Sequence, residues 1–248
     1  MYALWGKAAF DRVVAALVLV LGAPILALLA LAVLLALGRP ILFRQRRAGL
    51  HGAPFTLLKF RSMRAGEAPD AVRLSRFGRW FRASGLDELP QMINILRGDM
   101  SLVGPRPLPC DYTPLFSATE ARRLWVQPGL FGLAQAEGRN ALPWGRRLAC
   151  DVEYTDQEPE FMTDFMIVLA CCALLLRGHG ATMPGHATSP SLKEVLPRGA
   201  VLVRAPLMTR GHQGGMPCSL LLMLPASCPS RGSQRERRPR PSCSRRRI

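Results

Sequence analysis

Residues 13–37 contain no charged or strongly polar side chain. At helical rise such a run extends roughly 37 Å, enough for a bilayer core of about 30 Å. Gly22-Ala23-Pro24 interrupts it near the middle. Proline there removes a backbone hydrogen bond and crowds the preceding turn, which predicts a kink. Basic residues flank both ends: Lys7 and Arg12 before, Arg39, Arg44, Arg46 and Arg47 after. Positive flanks favour the cytoplasmic side. If both stay there, the helix enters, bends at Pro24 and leaves by the same face. The residues alone leave this re-entrant hairpin and a single span equally open. A signal peptide fits poorly, because its apolar core runs about 7–15 residues and no small-x-small cleavage site follows.

Beyond the run the pattern shortens. Ile41-Leu42-Phe43 and Phe55-Thr56-Leu57-Leu58-Lys59-Phe60, separated by Gly49, Gly52 and Pro54, predict two short strands joined by a turn. Residues 65–73 read as a polar loop. From Leu74 to Arg82 the spacing predicts an amphipathic helix. Arg73, Arg76, Arg79 and Arg82 line one face, and Leu74, Phe77, Trp80 and Phe81 lie between them. That face suits either solvent or an anionic membrane surface. Leu86 to Leu96 predicts a further helix, with Ser84 or Asp87 near its start and Gly98 as its stop. A helix over Thr119–Val126 with Thr119 as its cap is expected next. Residues 127–147 read as turns. Phe161 to Leu176 predicts an apolar helix with one acid, Asp164, too short to span a bilayer comfortably.

Charge changes the picture at the C-terminal end. The 248-residue, 27.3 kDa chain carries a formal +16, yet residues 178–248 hold 12 Lys+Arg against 2 Asp+Glu. The body is only mildly basic, so it is not expected to bind nucleic acid. Residues 229–247 are almost wholly Ser, Pro, Arg, Gln and Gly, a composition that cannot bury a core and predicts disorder. Seven cysteines without a C-x-x-C, and four histidines without ligand spacing, point away from a zinc site or a disulfide framework.

Four constellations offer chemistry. Asp87 and Glu88 are adjacent carboxylates at a predicted helix start. They suit dipole complementation, or a nucleophile beside a ligand for a divalent cation. In Gly104-Pro105-Arg106-Pro107 two prolines pin an arginine in extended backbone, either as a plain surface turn or as a bidentate phosphate clamp. Lys59, Arg61 and Arg82 form a cationic wall if the fold gathers them. Gln135, Gly138, Arg139 and Asn140 put polar groups among glycines, as a solvated loop or a sugar or nucleotide contact.

In their order and spacing these blocks are more specific than any one of them. Phe43-Arg44-Gln45-Arg46-Arg47-Ala48-Gly49, Lys59-Phe60-Arg61-Ser62-Met63, Leu86-Asp87-Glu88-Leu89-Pro90-Gln91 and residues 97–107 lead the match. Gln127-Pro128-Gly129, Gly138-Arg139-Asn140 and Asp151-Val152-Glu153-Tyr154 follow in register. Over about residues 7–164 the chain resembles the bacterial sugar transferases known as monotopic phosphoglycosyl transferases. The resemblance implies a helix-rich α/β catalytic domain on a re-entrant, proline-kinked N-terminal membrane helix. It also implies the cytoplasmic face of a bacterial inner (plasma) membrane. The implied reaction moves a sugar-1-phosphate from a UDP-sugar to polyprenyl (undecaprenyl) phosphate and releases UMP, as the first membrane step of a lipid-linked glycan.

By that similarity Asp87 is the nucleophile that forms a covalent phosphosugar, and Glu88 helps hold Mg2+. Arg106 contacts donor phosphate, and Arg82 lies near the site. Lys59, Arg61 and Arg139 are expected as further phosphate contacts, with Pro105, Pro107, Gln135 and Asn140 in the substrate vicinity. The partners are the UDP-sugar, the lipid phosphate and the bilayer, and a homodimer is left open. The corresponding divisions are a membrane helix over 1–38, a catalytic domain over 39–193 and a basic tail over 194–248. Gly85, Ala23, Phe131 and Leu133 depart from the usual family residues. Glycine loosens a helix start by roughly 0.5–1 kcal/mol, which bears on the placement of Asp87. Two rival readings are an inactive membrane scaffold and a tail that binds anionic surfaces or nucleic acid.

Overall fold

The computed structural model describes residues 6–177 and 191–195. The apolar run forms two helices, α1 (Lys7–Leu21) and α2 (Ala23–Leu37), bent by 67° at Gly22. Pro24 falls in the first turn of α2, where its missing N–H costs nothing. Neither helix alone is long and apolar enough to cross a membrane, but the bent pair together passes that test. Phe10, Val13, Leu17, Val20, Leu28 and Leu35 are among its exposed large side chains.

The antiparallel pair β1 (Leu42–Ala48) and β2 (Pro54–Phe60) follows, in register from Leu42 opposite Phe60 to Ala48 opposite Pro54. The turn between them places His51 and Gly52 at positive φ. The expected basic helix is two pieces. Asp70–Arg73 is a single turn, α3, and α4 (Arg76–Ser84) starts afresh after Leu74. Ser75 caps α4 by accepting from the Gly78 N–H at 3.1 Å. Arg73 therefore does not share a helix with Arg76, Arg79 and Arg82.

The expected helix over Leu86–Leu96 is also divided. Leu86–Gln91 is a 3₁₀ turn containing Pro90, and α5 (Met92–Arg97) continues from it. Gly98 ends α5 in the left-handed conformation, as expected from sequence. Residues 119–126 form a 3₁₀ turn, Glu120–Trp125, and Thr119 does not cap it. Ser117 does: its N–H donates to Glu120 Oε2 and its Oγ accepts from the Glu120 N–H.

A parallel pair was not visible in the pattern: β3 (Ser101–Val103) and β4 (Gly129–Phe131). Each is three residues, too short to show alternation. Gly104 and Gly129 let their ends meet. A Cβ on Gly129 would lie 2.1 Å from the Gly104 nitrogen, and one on Gly104 would lie 2.5 Å from the Gln127 carbonyl. The region expected as turns then yields α6 (Leu133–Glu137) and the start of α7 (Trp144–Asp156). The apolar helix α8 (Phe161–Leu176) matches expectation, and α9 (Leu192–Val195) closes the described chain. The tail expected to be disordered lies outside the described residues.

Ile95, Met100, Val103, Leu130, Tyr154 and Ile167 form the main core, and Ala15 of α1 packs into it. A second cluster joins Val33 of α2 to Phe60 and Phe81. Buried polar groups stitch α1 to the body. Asp11 accepts from Ser101 Oγ at 2.5 Å and from the Leu102 N–H at 3.2 Å. Lys7 donates to Asp164 Oδ2 at 2.5 Å, and the Tyr154 hydroxyl donates to Asp164 Oδ1 at 2.8 Å. Edge-to-face contact of Phe10 with Phe161, at 5.5 Å, sets α8 beside α1.

Candidate active site

Beneath α8 lies a cavity of about 660 Å³. The 3₁₀ turn 86–91, the ends of β1 and β2, residues 106–112 and helices α6, α7 and α8 wall it. Its lining holds seven cations (Arg47, Lys59, Arg79, Arg82, Arg106, Arg139 and Arg147) against three carboxylates, Asp87, Glu88 and Asp151. Such an excess in a concave, partly desolvated wall selects for a multiply charged anion.

The dyad is set by the joint before it. Gly85 ends α4 at φ +72°, and the chain leaves it directly into the 3₁₀ turn. A side chain there would be strained by that φ and would press on Leu175 of α8 at 3.1 Å. The departure at Gly85 therefore defines the placement of Asp87 rather than loosening it. After the turn, Asn94 is fully buried. Its Oδ1 accepts from the Leu58 N–H at 3.0 Å and its Nδ2 donates to the Thr56 carbonyl at 2.8 Å. This amide locks the helix following the dyad to the strand that carries Lys59.

The two carboxylates differ. Glu88 takes both guanidinium nitrogens of Arg106, Nη1 at 3.2 Å and Nη2 in a shorter contact. Burial works to raise the Glu88 carboxyl, but the Arg106 charge and hydrogen bonds hold it below its ordinary value. Asp87 is 4% exposed and has neither an ion pair nor a side-chain hydrogen bond among the described residues. Burial, then the Glu88 charge, push it up to about 6, against the pull of Lys59, Arg82 and Arg106. Two neighbouring carboxylates driven apart in acidity are a signature of divided roles.

The cations are held from behind. Lys59 lies over the Phe43 ring at 5.2 Å, and burial lowers its affinity for the proton despite Asp87. Arg82 donates through Nε to Ser62 Oγ at 2.8 Å. Arg139 Nη1 reaches the Ala83 carbonyl at 3.4 Å. Gln135 donates to the Leu130 carbonyl at 3.1 Å, and Asn140 lines the same wall.

One expected phosphate contact lies elsewhere. Arg61 is turned away from the cavity. β2 ends at Phe60, and the Arg61 guanidinium instead takes the carbonyls of Leu37, Gly38 and Arg39 at the end of α2. Pro105 and Pro107 flank Arg106 without lining the cavity. Arg47 was not singled out and does line it. It donates to the Pro107 carbonyl at 3.1 Å and to Gln45 Oε1 at 2.7 Å. Burial and then Arg106 push it down to about 10. Trp144 and Arg147 on α7 were also missed; the guanidinium sits over the ring at 4.9 Å. Their nearest sequence signal was the aromatic–basic run at 144–147.

A family model described as "Bacterial sugar transferase" matches residues 2–178. The chain belongs to the bacterial sugar transferase family. Similar members include the "Uncharacterized sugar transferase EpsL" of Bacillus subtilis (strain 168), 43% identical over 189 residues, which cover 74% of this chain and 93% of that one. The UDP-glucose:undecaprenyl-phosphate glucose-1-phosphate transferase of Caulobacter vibrioides is 44% identical over 186 residues, 68% of this chain and 69% of the relative. The enzyme of that same name from Escherichia coli (strain K12) is 42% identical over 144 residues, but the match covers only 31% of its length. This sugar transferase therefore corresponds to most of its small relatives and to about a third of that long one.

Proposed function

We propose that this sugar transferase moves a sugar-1-phosphate from a UDP-sugar to undecaprenyl phosphate, as its named relatives do. The observation that carries this is Asp87, an unpaired carboxylate walled by Lys59, Arg82 and the Arg106–Glu88 pair in a cation-rich cavity. An Asp87 oxygen attacks the sugar-bearing phosphorus, a new P–O bond forms, and the bond to the bridging oxygen breaks to release UMP. An oxygen of the lipid phosphate then attacks the same phosphorus and frees Asp87. Both steps bring anion to anion, and Arg106, Arg82, Lys59 and Arg139 offset that repulsion.

The residues fit a divalent cation only together with substrate. Among the described residues no group of three His, Cys, Asp or Glu side chains could hold a metal. One or two carboxylates plus phosphate oxygens are a usual set for magnesium. Glu88, with Asp87 beside it, would hold Mg2+ against the donor diphosphate, where the ion supplies charge neutralisation.

The bent α1–α2 pair with its exposed apolar side chains supports the re-entrant reading, with the cavity at the cytoplasmic headgroup level. The experiment is UMP release by the detergent-purified full chain, given undecaprenyl phosphate, magnesium and a panel of UDP-sugars. Release that needs the lipid and disappears in Asp87→Asn is expected. Undiminished release by that variant would remove Asp87 as the nucleophile.

A further inference from the structure

The backbone of residues 105–107 can donate very little. Pro105 and Pro107 have no N–H, so Arg106 supplies the sole amide of the three. Their carbonyls are all engaged. The Pro105 carbonyl accepts from the Gly129 N–H at 2.9 Å, and the Pro107 carbonyl accepts from Arg47 Nη1 at 3.1 Å. The Arg106 carbonyl accepts from Arg123 Nη2 at 2.6 Å.

Arg123 differs from the other two donors in how it is held. Its Nε and Nη2 both donate to Asp151 Oδ2, at 3.0 and 2.7 Å. The side chains of this pair are 2% and 5% exposed, and the Phe116 ring lies 5.4 Å from the guanidinium. Arg123 comes from the 3₁₀ turn 120–125 and Asp151 from α7, so the pair joins two elements beneath the segment carrying Arg106.

We propose that Arg123, held by Asp151, is a positioning residue for Arg106. Its grip on the Arg106 carbonyl fixes the peptide from which that side chain departs. It thereby sets the reach of the Arg106 guanidinium to Glu88 and to the phosphate of a nucleotide-sugar. The phosphate ligand rests on the function proposed above; the grip on the backbone does not. Stability alone is a weak reason for such a pair, since a buried ion pair replaced by apolar groups of similar volume is often neutral or stabilising.

The same argument supplies the variant. Arg123→Met combined with Asp151→Leu removes both charges and leaves neither alone. In the full chain in detergent, exchange of the Gly129 and Ala48 amides, which donate to the Pro105 and Leu108 carbonyls at 2.9 Å, is expected to speed up, while α5 keeps its protection. Unchanged exchange at Gly129 and Ala48 overturns the proposal, whatever the activity. The second readout is a cycle with Arg106→Ala on lipid-dependent UMP release. Misplacing Arg106 is expected to cost about tenfold to a hundredfold in kcat/KM. The same replacement made in Arg106→Ala is expected to cost little more. Equal losses in both backgrounds overturn the proposal and leave a pair that only supports the fold. If the double variant does not fold, Arg123→Lys gives the same exchange measurement. It keeps a charge opposite Asp151 but lacks the fork that holds two acceptors. Lack of UMP release from the unaltered chain with every donor would count against the proposed function, and exchange would still decide the role of Arg123.

Discussion

Two arginine–carboxylate pairs meet at the Arg106 carbonyl and do different work. Arg106 and Glu88 face the cavity, with side chains 42% and 19% exposed. Arg123 and Asp151 are only 2% and 5% exposed, and of the two only Asp151 borders the cavity. A pair open to the cavity can exchange its partner for an incoming phosphate, because water and ligand both reach it. A sealed pair cannot, since either charge left alone would be stranded in low dielectric. One pair is suited to turnover and the other to holding a shape. The chain connects them through a single carbonyl, that of Arg106.

The sharpest way to break this contrast is to remove one charge from each pair. Arg123→Ala strands Asp151 and is expected to cost about 3–5 kcal/mol of stability, seen as a large fall in melting temperature in detergent. Arg106→Ala is expected to cost about 100- to 1000-fold in kcat/KM for UMP release. Its melting temperature is expected to move less than that of Arg123→Ala, because cavity water reaches the Glu88 carboxylate once Arg106 is removed. If Arg106→Ala melts as early as Arg123→Ala, the division between the pairs is wrong.

A smaller effect sharpens the picture at Asp87. Its folded-state pKa of about 6 lies above its ordinary value. The stability it contributes is therefore present in acid and is lost as pH rises through about 6. Above that pH the charged carboxylate burdens the fold. With chelator present at pH 7.5, Asp87→Asn is expected to gain on the order of 1–3 kcal/mol while losing all transfer. A variant that melts no later than the parent would refute the burden. The smallest effect is expected from ending the chain after residue 195, which removes most of the basic excess. UMP release is expected to survive, and its loss would favour a binding role for the tail.

What the sequence disclosed follows from the range of each signal. The Asp87-Glu88 dyad, the Pro-Arg-Pro segment and α8 are local patterns; the structure brings Asp87, Glu88 and Arg106 to one cavity and forms α8. The hairpin of β1 and β2 was legible because its two apolar segments sit close to Gly49, Gly52 and Pro54. Of the expected wall of Lys59, Arg61 and Arg82, Lys59 and Arg82 line the cavity and Arg61 does not. The strand stops at Phe60, so Arg61 follows the chain toward α2 instead. The split at Leu74 was hidden because the Arg spacing of three runs across a Ser75 cap. Asn94, Arg47 and the Arg123–Asp151 pair were illegible for a different reason. The long-range contacts that place them span 28 to 60 residues of chain, and no periodicity connects such positions until the fold does.

The Asp11 contact to β3 has a consequence for the N-terminal helix itself. Ser101 and Leu102 begin the strand that leads into Gly104-Pro105-Arg106-Pro107, and both hydrogen-bond a side chain of α1. Lys7, one turn earlier on that helix, reaches Asp164 on α8. Helix α1 is thus a structural wall for both β3 and α8. Trimming the apolar N-terminus to obtain a water-soluble enzyme would leave Ser101, Leu102 and Asp164 without these buried partners. Lys7, Asp11 and Ala15 thus make α1 part of the packing around β3 and α8 rather than an appendage to it.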